Sequence, residues 1–267
     1  MRIANMENIL YTKLASFYDL IADDRDFLHE CSEIIHNYQV LNKNQQPRNI
    51  LELCAGPAYH AQVFKEYYQM EAYAVDSSPQ MKELACNKHH ITEDKYITGF
   101  LPDVLSTQAL QQKFDLILIM RYSLGLINYK GAYDLLTQLE NYMTPGGLAV
   151  IELHDLNAFF NQFADLNIKT RQRYFPETKQ TISCIWPSGP LTCDRESWNI
   201  EMPIQIDVIE DNGDKKSFKG ISEEEIHTIS EIERMILGTQ LVLFRDKLEI
   251  IQNMSNTIIL QRRGMNV

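Results

Sequence analysis

The sequence predicts an α/β chain with a doubly wound, mainly parallel sheet, N-terminal helices and an antiparallel β insertion. Three patterns predict this fold class. Short apolar segments alternate with amphipathic ones between residues 49 and 153, as in a parallel sheet covered by helices. Before that stretch, apolar residues recur at helical spacing over residues 8–39. After it, residues 198–208 alternate apolar and polar side chains, which is typical of a strand with one buried face.

The alternating stretch predicts a regular series of strands and helices. A polar linker at residues 42–48 separates this stretch from the N-terminal helices. Phe114 to Met120 is almost continuously apolar, which is typical of a strand buried on both faces. Residues 144–147, Thr-Pro-Gly-Gly, are expected to form the turn that ends the last helix. The predicted strands are 49–54, 71–76, 96–100, 114–120 and 148–153, and the predicted helices are 58–69, 79–87 and 132–143.

The C-terminal part is expected to depart from the parallel pattern. Residues 211–214 supply a turn, so the strand starting at Trp198 and a strand at 215–219 are predicted to form an antiparallel hairpin. Pro203 within the first of these strands predicts an edge position or a bulge. The sequence Ser-Glu-Glu-Glu at 222–225 has the pattern of a capping box that opens a helix to about Leu237. Two last strands are predicted near 239–244 and 256–262.

Composition and charge narrow the functional classes. The 267 residues are 45% hydrophobic and 23% charged, as in an ordinary globular protein. The net charge of -11 disfavours nucleic acid as the main partner, because binding phosphates needs basic patches. Five scattered cysteines without a close pair indicate free thiols in a reducing compartment. No apolar run approaches the ~20 residues of a membrane span and no signal peptide is recognisable, so a cytoplasmic location without a membrane partner is expected.

The most informative stretch is residues 49–58, Asn-Ile-Leu-Glu-Leu-Cys-Ala-Gly-Pro-Ala. A short apolar strand ends there in small residues and is followed by a helical pattern. Small residues let a ligand approach the backbone, and the start of a helix presents free N–H groups and a positive dipole end. The stretch therefore predicts a site for a nucleotide-like cofactor.

The order of motifs from residue 48 to 153 resembles that of the class I S-adenosylmethionine-dependent methyltransferases, small-molecule type, which have a Rossmann-like fold. The first motif of that family is E-x-G-x-G-x-G, for which this chain has Glu52, Cys54, Gly56 and Ala58. Two of the expected glycines are replaced by small residues. The resemblance implies S-adenosyl-L-methionine as cofactor, with Glu52, Cys54, Ala55 and Gly56 beside its methionine part.

Two further acidic residues fit the same resemblance. Asp76, at the end of the second predicted strand, matches the residue that binds the ribose hydroxyls, and its alternative role is the N-cap of the next helix. Ser77 and Met81 follow it and are also assigned to the cofactor. Asp103 matches the residue that bonds the adenine amino group, with Val104 beside the ring, although Asp103 also suits a surface turn.

Residues after the fourth and fifth strands are the candidates for the reaction itself. Ligands of open α/β sheets bind beyond the carboxyl ends of the strands, so Met120 is assigned to the cofactor, and Arg121 and Tyr122 to the catalytic group. His154 follows the fifth strand and suits a general base, with a simple hydrogen-bonding role as the alternative. Tyr18, in the N-terminal helices, matches a lid residue over the cofactor, and core packing is an equal alternative. The sequence predicts no metal site.

These assignments divide the chain into four segments. Residues 1–47 are predicted to form a helical lid, 48–170 the cofactor-binding core, 171–220 an antiparallel insertion that covers the substrate or makes a dimer contact, and 221–267 the completion of the core. A covered pocket favours a small-molecule acceptor over a protein or nucleic acid, and N- or O-methylation of that acceptor is expected. An exposed apolar sheet face would favour a homodimer. The alternatives are another sulfonium reaction, such as cyclisation or cleavage, and a non-catalytic cofactor-binding regulatory protein. A nicotinamide-dependent enzyme is disfavoured because its G-x-G-x-x-G motif is absent.

Overall fold

The computed structural model describes residues 11–22, 25–107, 110–154, 170–176, 178–194, 196–244 and 256–264. Its helices and strands divide between two compact units. The larger unit consists of Asp26–His154 and His227–Val267, and the smaller unit of Met1–Arg25 and Asp155–Ile226. The helices are α1 (Ala15–Ala22), α2 (Phe27–Leu41), α3 (Tyr59–Tyr68), α4 (Pro79–Lys88), α5 (Tyr129–Leu139) and α6 (Ile229–Met235). The strands are β1 (Asn49–Leu53), β2 (Glu71–Asp76), β3 (Tyr96–Thr98), β4 (Phe114–Ile119), β5 (Met143–Glu152), β6 (Thr170–Phe175), β7 (Gln180–Ile185), β8 (Thr192–Asp194), β9 (Asn199–Glu210), β10 (Lys215–Glu225), β11 (Leu241–Phe244) and β12 (Thr257–Arg262).

The larger unit contains a seven-stranded sheet in the order β11-β12-β5-β4-β1-β2-β3. The strands β1 to β5 are parallel, whereas β12 runs antiparallel to both β5 and β11. This arrangement confirms the predicted α/β fold class with a mainly parallel sheet. The two last predicted strands are also confirmed, and they form the antiparallel edge.

Both faces of this sheet are buried, because successive residues of a strand point to opposite sides. On one face, Leu51 and Ile117 pack with Leu135 of α5 and Ile232 of α6. On the other face, Leu116 and Val150 belong to a cluster with Ile34 of α2 and Phe64 of α3. The helices therefore cover both faces, as the near-continuous apolar strands predict.

The turn predicted at residues 144–147 is instead an irregularity within β5. Met143 already pairs with Phe114, and the register shifts before Leu148 pairs with Leu116. A β-carbon on Gly147 would lie 2.9 Å from the Thr144 carbonyl oxygen and 3.0 Å from that of Phe114, so glycine permits the close backbone approach. Helix α5 ends earlier than predicted, at Leu139, and begins earlier, with Asn128 as its N-cap.

The predicted helical segment 8–39 is two helices that belong to different units. The smaller unit contains α1, and the larger unit begins with α2, whose N-cap Asp26 accepts a hydrogen bond from the His29 N–H. Residues 8–10 lie outside the described part of the chain.

The smaller unit contains a five-stranded antiparallel sheet in the order β10-β9-β7-β6, with β8 paired to β9. Its buried face carries Ile204, Ile206 and Val208 of β9 together with Ile182 of β7, and Leu14 packs in the same apolar cluster. The alternating pattern and the hairpin turn at 211–214 are thus confirmed.

Two details of the predicted hairpin are wrong. Trp198 precedes β9, has a left-handed backbone with φ 54°, and its side chain is 40% exposed, so it does not extend the buried face. Pro203 lies in an interior strand, but it falls between the residues of β9 that pair with β8 and those that pair with β7. The Ser188 N–H donates to the Pro203 carbonyl oxygen at 2.7 Å, and no described strand pairs with Pro203 on that side, so the missing N–H of proline is tolerated.

The predicted helix from Ser222 is also wrong. Residues 222–225 continue β10, where Ser222 pairs with Met202 and Glu224 with Ile200. The helix starts later, because Thr228 and Glu231 form the capping box that opens α6. The ladder to β9 therefore prevails over a local capping pattern.

Within the described ranges, no helix is long and apolar enough to cross a membrane. The predicted functions of residues 1–47 as a lid and 171–220 as a cover or dimer contact stay predictions.

Candidate functional site

The candidate residues follow a row of paired positions at one edge of the larger sheet. Leu53 of β1 pairs with Val75 on one side and with Ile119 on the other, and Ile119 pairs with Ile151. The next positions on the four strands are therefore also neighbours, at the carboxyl ends where open α/β sheets bind ligands. These positions are Cys54, Asp76, Met120 and Glu152.

The segment from Cys54 to Ala58 connects β1 to α3, and we call it the cofactor loop. Cys54, Gly56 and Ala58 have left-handed backbones, with φ 51°, 51° and 62°. Two of these residues carry a β-carbon, which costs about 1–2 kcal/mol per residue in this conformation. The loop thus keeps the backbone course that glycines would favour, and its small side chains leave the backbone accessible.

Asp76 is joined to the cofactor loop by a hydrogen bond. One carboxylate oxygen accepts from the Gly56 N–H at 2.8 Å, and the other accepts from the Ser78 N–H at 2.9 Å. Burial raises the pKa of Asp76, and the hydrogen bonds from Ser78 and Gly56 oppose that shift. Each oxygen retains a lone pair that a ribose hydroxyl could use.

The alternative role of Asp76 as a helix cap does not hold. The N-cap of α4 is Ser78, whose hydroxyl oxygen accepts from the Met81 N–H at 3.1 Å. Asp76 precedes that cap and is directed to the loop instead.

A second polar contact to the loop comes from Tyr96 of β3. Its hydroxyl donates to the Gly56 carbonyl oxygen at 2.6 Å, and the side chain is fully buried. Sequence reasoning missed this residue, since a single tyrosine in a short strand carries no recognisable signal. Gly56 is therefore held through both its N–H, by Asp76, and its carbonyl, by Tyr96.

Glu52 and His60 lie at the two ends of the cofactor loop and form an ion pair. His60 Nδ1 lies 2.9 Å from Glu52 Oε1, and the other Glu52 oxygen accepts from the Ala61 N–H at 2.9 Å. His60 Nε2 lies 2.9 Å from Glu30 Oε2, and Glu30 on α2 was not predicted as a site residue. Glu52 thus holds the loop, and its predicted contact with the cofactor stays a prediction.

The adenine candidates lie after β3. Asp103 starts a short 3-10 helix that spans Asp103–Ser106 and is exposed, whereas Val104 is buried. A β-carbon on Gly99 would lie 2.6 Å from Val104 Cγ2, so the backbone after β3 approaches Val104 closely. The adenine role and the surface-turn role of Asp103 both remain open.

The predicted catalytic residues lie at the ends of β4 and β5. Tyr122 and His154 are stacked, with ring centroids 4.5 Å apart and planes at 16°. Tyr122 is 40% exposed. Arg121 and Tyr122 both have left-handed backbones, with φ 58° and 61°, and the Arg121 N–H donates to Glu152 Oε2 at 2.7 Å. Glu152, which was not predicted as a site residue, therefore fixes the turn that presents Tyr122.

The remaining predicted cofactor residues differ in exposure. Met81 of α4 is fully buried, and Met120, which follows β4, is 3% exposed. Ala55 is also buried, whereas Ser77 is exposed directly after Asp76.

Tyr18 belongs to the smaller unit. Its ring contacts that of Tyr11 edge to face, with centroids 5.2 Å apart. Its lid role and the roles of Met81, Met120, Ala55 and Ser77 stay predictions.

Among the described residues, no group of three or more His, Cys, Asp or Glu side chains has the arrangement of a metal site. The two nitrogens of His60 are engaged by carboxylates instead.

Solved structures with a similar fold include three whose full length is nearly matched. DesVI of Streptomyces venezuelae is 15% identical over 94% of this chain and 98% of its own, with a TM-score of 0.72. CalS10 of Micromonospora echinaspora, an amino pentose methyltransferase solved with S-adenosylmethionine bound, is 13% identical over 98% of this chain and 100% of its own, with a TM-score of 0.69. An S-adenosylmethionine-dependent methyltransferase of Clostridium acetobutylicum is 19% identical over 94% of this chain and 98% of its own, with a TM-score of 0.67.

No curated protein matches the chain at a significant level. The sequence model of a family described as a methyltransferase domain matches residues 24–189, more than half of the chain. This match covers the cofactor loop, Asp76 and the stacked Tyr122 and His154. The chain therefore belongs to the methyltransferase domain family and is a methyltransferase with S-adenosylmethionine as its cofactor.

Proposed function

We propose that the protein methylates a nitrogen or oxygen atom of a small-molecule acceptor by in-line transfer. The observation that carries this proposal is the stacked pair of Tyr122 and His154. The pair follows the strands next to the cofactor loop, where the acceptor would meet the methyl group.

The cofactor would be held by groups of matching chemistry. Asp76 would accept hydrogen bonds from the ribose hydroxyls, since a carboxylate can accept from both hydroxyls of a diol. The small residues Cys54, Ala55 and Gly56 would allow the methionine part to lie against the backbone, with Glu52 supporting the loop beneath. Further along the edge, the adenine would lie between Val104 and the exposed Asp103, whose carboxylate would accept from the amino group. Ser77, Met81, Met120 and Tyr18 are proposed as minor contacts.

When bound, S-adenosylmethionine supplies a methyl group on a positively charged sulfur. The protein then has to align the acceptor, exclude water and remove a proton. Tyr122 and Arg121 would orient the acceptor at the end of β4. The His154 imidazole would accept the proton from the acceptor N–H or O–H as methyl transfer proceeds.

Amino sugars are the first acceptors to test, because the fold neighbour CalS10 is an amino pentose methyltransferase. An amine needs to be neutral to attack a methyl group, and a histidine near neutral pH is suited to keep it so. Hydroxylated aromatic compounds are the second class, since the flat face of Tyr122 would stack on them.

The test is transfer of a labelled methyl group from S-adenosylmethionine to a panel of amino sugars and hydroxylated aromatic compounds. Mass spectrometry of the product would identify the methylated atom. We expect His154→Ala to lose most of the activity on any accepted compound, whereas Tyr133→Ala, an exposed tyrosine on α5, should retain it. Cleaved or cyclised cofactor without methylated product would support another sulfonium reaction, and activity confined to proteins or nucleic acids would contradict the proposal.

A further inference from the structure

Three ionisable side chains from three different elements meet behind the cofactor loop. Glu30 lies on α2, Glu52 on β1 and His60 on α3, and each is at most 4% exposed. Both His60 nitrogens lie 2.9 Å from a carboxylate oxygen, one from each glutamate. Buried charges are costly unless they are paired in this way, so the arrangement requires an explanation beyond general packing.

The charge state of the group follows from its surroundings. Burial lowers the pKa of His60, but the hydrogen bonds and charges of Glu30 and Glu52 outweigh it and raise that pKa to about 9. His60 is therefore an imidazolium at neutral pH, with both N–H groups donating to carboxylates. The nearby thiol of Cys31 stays neutral, because burial and the two glutamates raise its pKa.

Two other titratable groups lie on neighbouring strands. Asp76 of β2 and Tyr96 of β3 both experience the charge of Glu52. The Tyr96 hydroxyl stays neutral, because burial and then Asp76 and Glu52 raise its pKa. The Cys54 thiol in the loop also stays neutral, because burial and then Asp76 raise its pKa. Among these described groups, His60 is thus the one that changes charge at mildly alkaline pH.

The contacts of His60 close a short segment of chain. Glu52 is two residues before Cys54, and His60 is two residues after Ala58, so their ion pair joins the two ends of the cofactor loop. The Ala61 N–H donates to Glu52 as well, which adds a second bond across the same ends. Glu30 connects this closed segment to α2.

The segment that these bonds close is strained. Cys54 and Ala58 hold left-handed backbones that residues with a β-carbon adopt at a cost of about 1–2 kcal/mol each. Such conformations persist where the surrounding structure over-determines them. Two residues with a costly backbone conformation therefore lie between the members of a buried ion pair.

We propose that Glu30 and His60 are positioning residues that act through Glu52 to hold the cofactor loop in its binding conformation. They set the affinity for S-adenosylmethionine and make it depend on pH. The inference rests on the cofactor that the family supplies and is independent of the acceptor.

The first test measures the loop itself, without any ligand. Hydrogen–deuterium exchange reports local opening of backbone amides. In His60→Gln we expect the peptide that contains residues 53–62 to exchange faster by about tenfold or more, with the strands of the smaller unit unchanged. Glu33→Gln, on the same helix as Glu30 but outside the ion pair, is the matched control and should exchange like the parent. Parental exchange in the loop of a folded His60→Gln protein would overturn the proposal.

The second test measures the dissociation constant of S-adenosylhomocysteine by calorimetry across pH. In the parent we expect affinity to be level through neutral pH and to fall as pH passes about 9, where His60 loses its proton. In Glu30→Gln one carboxylate charge is removed, so burial lowers the pKa of His60 and the loss of affinity moves to lower pH. The amino group of the ligand titrates equally in all variants, so the readout is the difference between variants in the pH at which affinity falls.

The outcomes are distinguishable. A pH profile of Glu30→Gln that coincides with those of the parent and Glu33→Gln would overturn the proposal, even if the variant were less stable. If His60→Gln does not fold, the proposal is tested by Glu30→Gln alone, through the pH at which its affinity for S-adenosylhomocysteine falls. Failure of the parent to bind S-adenosylhomocysteine would contradict the cofactor assignment, and normal binding without methylation of any tested compound would contradict only the proposed acceptor class.

Discussion

Replacing Asp76 by alanine should weaken cofactor binding for two separable reasons. The carboxylate accepts from the Gly56 N–H at 2.8 Å and is proposed to accept from the ribose as well. A hydrogen bond to a charged group contributes about 1.5–3 kcal/mol, so losing the ribose bond should weaken S-adenosylhomocysteine at least about tenfold, or about 1.4 kcal/mol. Losing the hydrogen bond to Gly56 should lower the affinity further, because the freed loop then has to be ordered when the ligand binds.

A ligand without the ribose 2′-hydroxyl separates the two reasons. Calorimetry with both ligands on the parent and on Asp76→Ala completes a double-mutant cycle. If Asp76 binds the ribose, removal of the hydroxyl should weaken binding to the parent and leave binding to Asp76→Ala nearly unchanged. Asp94→Ala, a carboxylate in the turn before β3, serves as control and should bind both ligands like the parent.

Two results would refute the ribose role. An unchanged dissociation constant in Asp76→Ala would remove any role in binding. The second result is that the parent binds both ligands equally well and Asp76→Ala weakens the binding of both to the same extent. Asp76 would then act on binding only through Gly56.

The remaining predictions concern the acceptor site and two pH dependences. In Tyr122→Ala, loss of the stack on His154 should lower kcat/KM for the acceptor about tenfold and leave S-adenosylhomocysteine affinity unchanged, and an equal loss of both would contradict a role confined to the acceptor. The pKa of His60 is higher in the folded state, about 9 against 6.5, so its stabilising effect is complete below about pH 6.5 and is lost as pH rises to about 9. In urea unfolding, the free energy of unfolding of the parent should fall by at most about 3 kcal/mol over that pH range, and that of His60→Gln should fall by less. For Asp207, burial raises the pKa, but hydrogen bonds from Ser217, Lys215 and Gln205 lower it overall, so its stabilisation holds above about pH 4 and is lost as pH falls further. In Asp207→Asn the free energy of unfolding should fall less steeply below about pH 4. An unchanged fall would assign the acid dependence to other carboxylates.

The sequence was a reliable guide where strands are buried on both faces. The apolar run of β1 is followed by the small residue Cys54, and β2 ends in the acidic Asp76. The structure places these two residues in one row with Met120, which follows β4. The position of Asp76 follows from that pattern alone. Strands buried on both faces have near-continuous apolar runs, and such runs are recognisable in the sequence.

Local patterns failed where pairing with distant residues decided the outcome. The Ser222 to Glu225 pattern suits a helix cap, but β9 offers a ladder partner to every residue of β10 as far as Glu225. A second pattern of the same kind, Thr228 to Glu231, is the one that caps a helix. Nothing within six residues of either pattern distinguishes them, since the partner strand lies some twenty residues earlier.

The contacts among site residues were not predictable for a similar reason. Glu30 is 30 residues from His60, and Arg121 is 31 residues from Glu152, so no spacing rule joins them. Their proximity results from helix and strand packing that only the folded chain reveals. Only the small-residue loop and the acidic ends of strands carried a local signal.

The packing of Leu14 on the apolar face of the smaller sheet has a consequence for synthesis of the chain. The segment of Leu14 and α1 leaves the ribosome before its partner strands β7 and β9, which emerge only after all five parallel strands. During that interval its apolar residues lack their native cover, and such delayed long-range contacts slow folding and favour aggregation. Leu14→Ser should therefore lower the soluble yield of the protein.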